Sequence, residues 1–288
     1  MKKIARPFLI ALVCLFAIVP GMAPAGPIDG EDKKKKIEPL KRIGIMGASV
    51  SAGFGLEVNL AAVIDEAVKT PHEMIDTASN SFFFEPRAVG RKAIEQLRAQ
   101  KATVAIGLDY FFWFSYGVLG IEERFDLLKT GCALAGRLEC PIVVGDIPDM
   151  SASVGSMLRA EQVPSRDELR ALNKHLYAWA AERPHVHVIP LSAWIETLNN
   201  EKPIVVEGRQ RTFKPGELMQ NDKLHANEKG LALLAIKCLE KLVVRYPTVD
   251  RRDLVLNLEA LTKTVTKGKK TGNAKGQTAR EKIGQGKD

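Results

Sequence analysis

The residues of this chain best suited to chemistry are one serine, one aspartate and one histidine. Ser49 lies in Gly47-Ala48-Ser49-Val50-Ser51-Ala52-Gly53-Phe54-Gly55, a turn of mostly small residues after the apolar run 42–46. A serine hydroxyl is a weak nucleophile. It needs a base within hydrogen-bond reach and a third group to orient that base. Far downstream, Asp222-Lys223-Leu224-His225 supplies both. In this reading His225 takes the proton of Ser49 as it attacks a carbonyl and returns it to the leaving group, while Asp222 fixes the imidazole tautomer. Ser51 is the alternative nucleophile. His72, His175, His185 and His187 have no comparable aspartate beside them. A nucleotide loop fits less well: Gly47, Gly53 and Gly55 miss the Gly-x-Gly-x-x-Gly spacing, and no Gly-Lys-Ser/Thr follows.

Those residues must be held by a scaffold, and the hydropathy pattern describes one. Apolar runs near 42–46, 102–106, 142–146 and 186–191 suit buried strands, and Glu73–Asp76 a short further one, five in all. Between them, 56–68, 86–100, 121–138, 165–183 and 226–246 carry apolar residues at helical spacing. Ser165 and Glu168 form a capping box, and Pro247 stops the last long helix. A short helix is expected near 250–261, and 199–219 reads as an irregular surface loop. Strands alternating with helices imply a mostly parallel α/β sheet with ligands at the strands' carboxyl ends. Tyr110-Phe111-Phe112-Trp113-Phe114-Ser115-Tyr116, with Phe82, Phe83 and Phe84, fits either core or the wall of a substrate groove. Asp149 suits a turn or a substrate contact.

Three blocks, Gly47-Ala48-Ser49, Gly107-Leu108-Asp109 and Asp222-x-x-His225, resemble those of the SGNH/GDSL hydrolase family in order and spacing across residues 42–246. The last, followed by Ala226-Asn227-Glu228-Lys229-Gly230, is the most specific. The resemblance implies a three-layer flavodoxin-like fold around a five-stranded sheet, with Ser49, Asp222 and His225 catalytic and no cofactor or metal. It implies acyl or acetyl esters of lipid or polysaccharide as substrates. A non-catalytic binding protein on the same fold is the alternative. The resemblance also implies an oxyanion hole built from the serine N–H, a glycine N–H and an asparagine side chain. Residues 77–81 contain no glycine, so Asn80 or Ser81 is expected to supply the second N–H. Asp109 stands where asparagine belongs. It would repel the oxyanion if ionised, donate to it if protonated, or turn away and cap a backbone group. Ala48 replaces the family's aspartate before the serine.

The net charge of +8 is unevenly spread. Lys2, Lys3 and Arg6 lie in the first 25 residues, and 262–288 holds eight cations against Glu281 and Asp288, leaving a nearly neutral body. The folded part therefore gives no charge signal for nucleic acid. Residues 1–25 read as a secretory signal: a basic head, the apolar run Phe8 to Val19, and Ala23-Pro24-Ala25 at the cleavage site. Export to a periplasmic or extracellular site is expected. Residues 26–40 form a charged linker, 41–261 the hydrolase-like domain, and 262–288 a basic disordered tail able to contact anionic polymer or membrane surface. With Cys14 inside the signal, Cys132, Cys140 and Cys238 remain. They show no metal-ligand spacing, and a Cys132–Cys140 bridge stays open for an exported chain.

Overall fold

The computed structural model describes residues 38–266; the expected signal segment, most of the expected linker and nearly all of the expected tail lie outside them. The strands β1 (Arg42–Ile45), β2 (Glu73–Asp76), β3 (Val104–Gly107), β4 (Ile142–Gly145) and β5 (Val186–Ile189) form one sheet in the order β2-β1-β3-β4-β5. Every pairing is parallel. This is the flavodoxin-like order, and it puts the β1 and β3 turns side by side at the sheet centre.

Side chains that alternate along each strand feed two cores. Ile43, Ile45, Val104, Ile106 and Val143 pack on one face with α1 (Leu60–Ala67), α7 (Glu228–Arg245) and the helix 258–266. Ala105, Ile142, Val144, Val186 and Val188 pack on the other with α2 (Pro86–Ala99), α3 (Ile121–Ala135) and α4 (Arg166–Ala181). Sheet and helix layers therefore make an α/β/α sandwich.

The chain departs from its sequence pattern in five places. Helix α1 begins only at Leu60, where the Asn59 side chain accepts from Ala62 N–H, so residues 48–58 are free to form the turn that carries Ser49. Helix α5 (Leu191–Asn199) follows β5 directly. The expected loop 199–219 contains the hairpin β6 (Ile204–Val206) and β7 (Arg209–Arg211), then the short α6 (Pro215–Leu218). The tail expected to begin at Thr262 begins later: the last helix runs to 266 with Leu261 and Val265 buried in the first core. Likewise Pro39, assigned to the linker, is buried, and its carbonyl accepts from Thr103 Oγ. Cys132, Cys140 and Cys238 are all free thiols, so the bridge left open does not form.

Candidate active site

The turn after β1 is built around Asp109. Its Oδ1 accepts from Ala48 N–H (3.0 Å) and Ser51 Oγ (2.6 Å), and its Oδ2 from Val50 N–H (2.7 Å) and Ser51 N–H (3.4 Å). The approach is so close that a Cβ on Gly47, whose φ is +148°, would collide with Asp109 Oδ1 and Ser51 Oγ. Only glycine fits there. The run 48–51 thus spends three of its four N–H groups on one carboxylate. The fourth, Ser49 N–H, takes no partner among the described residues. Asp109 is buried, and that burial pushes its carboxyl above the ordinary range, while the hydrogen bonds from Ser51, Val50 and Ala48 pull it back.

The second arm comes from the loop before α7. Asp222 Oδ1 accepts from the N–H groups of Leu224 (2.9 Å) and His225 (3.0 Å), and its Oδ2 meets His225 Nδ1 at 2.7 Å. Lys223, at φ 58°, makes the bend between them. Desolvation raises the Asp222 carboxyl, but the donors from His225 and Leu224 lower it more, and the net direction is down. With Nδ1–H donating to Asp222, the Nε2 lone pair faces Ser49 Oγ at 2.9 Å. Ser49 is half-buried and His225 buried. The carboxylate, imidazole and hydroxyl form one hydrogen-bonded chain at the carboxyl edge of the sheet.

Two parts of this site have no signal in the sequence. The Phe54 ring stacks on His225, with centroids 4.5 Å apart and planes 28° apart, and its outer face is exposed. Gln220 ties that loop down: its Nε2 donates to Phe54 O (2.7 Å) and to Ala226 O (2.9 Å). Gly53 and Gly55 flank Phe54 at φ 72° and 74°, a left-handed backbone open to glycine at no steric cost.

The oxyanion expectations need correction. Asp109 faces the turn backbone, where its oxygens hold four donors, and this is the capping alternative. Asn80 and Ser81 stand exposed on a single 3-10 turn after β2, where Ser81 N–H is bonded to Ser79 Oγ (3.1 Å). Neither lines the cavity beside Ser49. Ser51, the alternative nucleophile, is fully buried with its hydroxyl on Asp109. The aromatic run divides: Tyr110, Phe111, Phe114 and Phe82 are core, Phe112 lines the cavity beside Ser49, and Phe83 and Phe84 are exposed. Asp149 accepts from Ser151 N–H and acts as a turn former.

No family model matches the chain, and comparison with curated proteins finds no match. Solved structures do resemble it. One is a gut microbial diltiazem-metabolizing enzyme, 12% identical, with a TM-score of 0.49 over 72% of this chain. The chain spans about half of that protein's length, 48%. A second is an acetylxylan esterase from Geobacillus stearothermophilus, 13% identical, TM-score 0.46, covering 72% of this chain and 96% of that one. A third is a psychrotrophic esterase from Pseudoalteromonas sp., 13% identical, TM-score 0.45, covering 71% and 97%. Two of the three are esterases. At such scores the chemistry of this site is read from its own atoms.

Proposed function

We propose that the protein is a serine hydrolase of carboxylic esters, with Ser49 as nucleophile, His225 as base and Asp222 as its orienter. The observation that carries this reading is the continuous chain from Asp222 Oδ2 through His225 to Ser49 Oγ, with links of 2.7 and 2.9 Å. Ser49 Oγ attacks the ester carbonyl carbon and its proton passes to Nε2. The forming oxyanion faces the Ser49 N–H, the donor that Asp109 leaves free. The alcohol leaves with the proton from Nε2, and water then cleaves the acyl-enzyme by the same route. The substrate is an acyl or acetyl ester of lipid or polysaccharide. The protein acts after export, and its basic tail meets anionic polymer or membrane surface; the pattern of residues 1–25 and the cations of 262–288 support this.

A second reading, a binding protein on the same fold, is favoured by one observation. The position that should donate a side-chain hydrogen bond to the oxyanion holds a carboxylate occupied elsewhere. One such donor is worth roughly 3–4 kcal/mol of transition-state stabilisation. Fluorophosphonate labelling of wild type and Ser49→Ala separates the readings. A hydrolase labels at Ser49 and loses label and turnover together in the variant; a binding protein labels in neither. Export is checked by the mass of the secreted protein, which should begin near Gly26.

A further inference from the structure

Two small apolar cavities adjoin each other, and one of them opens at Ser49. The first, about 70 Å³, is lined by Ser49, Leu108, Phe112 and Leu224. The second, about 60 Å³, runs on between α5 and α7 to Trp194 and Leu198. They share Leu191, Ile195, Met219, Ala226 and Leu234 as walls, so they adjoin end to end along one apolar path that starts at Ser49 and that small shifts of these shared side chains would open throughout. The lining is almost wholly carbon. Leu191, Trp194, Ile195, Met219 and Leu234 are only half-buried, so the seam between α5 and α7 is not closed as the rest of the core is.

We infer that this seam is the acyl site, and that the ester the protein cleaves carries an unbranched alkyl chain of medium length. This deepens the hydrolase reading and rests on it. Three features favour this occupant. The path begins at the atom to which an acyl group would be bonded. Its walls offer an alkyl chain contact throughout, and the two carboxylates among them, Asp109 and Asp146, already hold donors from the protein rather than standing ready for a sugar hydroxyl. At about 10–15 Å³ of such space for each water-sized group, the two cavities accept a chain of about nine to thirteen carbons. An acetyl group would leave most of the seam uncovered.

The test is the full chain on p-nitrophenyl esters from acetate to palmitate, with Ser49→Ala as the blank. The expected kcat/KM peaks near decanoate or laurate, at least tenfold above acetate. Leu234→Trp, which plugs the junction of the cavities, should lower the decanoate-to-acetate ratio at least tenfold. Trp194→Ala, which opens the far end, should move the peak to longer chains. A profile that falls steadily from acetate overturns the inference, as does an unchanged ratio in a folded Leu234→Trp protein. If that variant does not fold, Trp194→Ala and the wild-type profile decide. Decanoate binding, read by Trp194 fluorescence against Trp194→Phe, separates the two levels of the claim. Binding without Ser49-dependent turnover leaves the acyl seam standing and removes the hydrolase. No response to decanoate removes the seam even if acetate is hydrolysed.

Discussion

Asp222 and Asp109 flank the same serine, and each gathers several donors, yet they do different work. Asp222 holds three hydrogen bonds on a loop with a side chain 19% exposed, and one of its donors is the imidazole that faces Ser49, the base of the proposed mechanism. Asp109 holds four in the interior, all from the turn that carries the nucleophile, and none reaches the reacting atoms. One carboxylate sets the state of the base and the other sets the shape of the turn. The same side chain therefore serves electrostatics at the rim and architecture inside. What decides between them is whether its donors include a group that changes charge during turnover.

The largest effect expected from breaking this contrast belongs to Asp222→Asn. The amide can present its NH2 to Nδ1 and favour the wrong tautomer, so kcat should fall about ten-thousand-fold with the fold intact. Steady-state kinetics and circular dichroism on the same sample check both halves. Asp109→Asn should act mainly on stability. Its amide NH2 must face N–H donors of residues 48–51, costing about 1–3 kcal/mol for the groups left unpaired. The loss of kcat should be smaller than in Asp222→Asn, and a gain would restore the oxyanion role rejected above. Urea unfolding and kcat, measured together, separate these outcomes.

Unfolding against pH sharpens the contrast, because the two shifts have opposite signs. The Asp222 carboxyl is depressed in the folded protein, so its contribution is present above 3.8 and is lost as pH falls through the folded value. The Asp109 carboxyl is raised, so its contribution is complete below 3.8 and is lost as pH rises through the folded value. The stability gap between wild type and Asp222→Asn should therefore widen with pH, and that for Asp109→Asn should narrow. Parallel curves would remove the distinction. The smallest effect is expected at Phe54. Losing its stack on His225 should reduce kcat about two- to tenfold in Phe54→Ala, on the worth of one aromatic contact. Phe54→Tyr should restore it. An Ala variant with wild-type kcat would make Phe54 a surface residue only.

What could be read from the sequence was whatever is local. Asp222 and His225 are three residues apart and close their contact within one turn, so their pairing is visible in the chain itself. The central strands β1, β3 and β4 were visible because both faces of the sheet are covered there and their runs carry no charge beyond Arg42, whereas the edge strand β2 buries only Ile75 and gave a weaker signal. The function of Asp109 was hidden because its donors come from residues about sixty positions earlier, at separations of 58 to 61. Phe54 was hidden for the same reason: Gln220, 166 residues away, holds its loop against the imidazole. Helix α5 lacks a side-chain cap after Pro190. The β6–β7 hairpin turns on Glu207 and Gly208, both at positive φ, without the usual Asn-Gly signal. The last helix keeps its Leu258, Leu261 and Val265 spacing, but lysines and threonines around it mask the pattern.

The bond between Ser49 and His225 closes a loop of 176 residues, which has a consequence for folding order. Contacts so distant in sequence must repay a large closure entropy, and they form late and slowly. The β1 turn can take its shape once β3 docks and brings Asp109, but His225 arrives only when α7 settles on α1. On the proposed function, turnover is thus a marker for one of the late long-range closures in this chain, beside those that join residues 67–69 to 252–255. On refolding from urea, recovered turnover should lag helical signal, and the lag measures how long the chain waits for its two ends to meet.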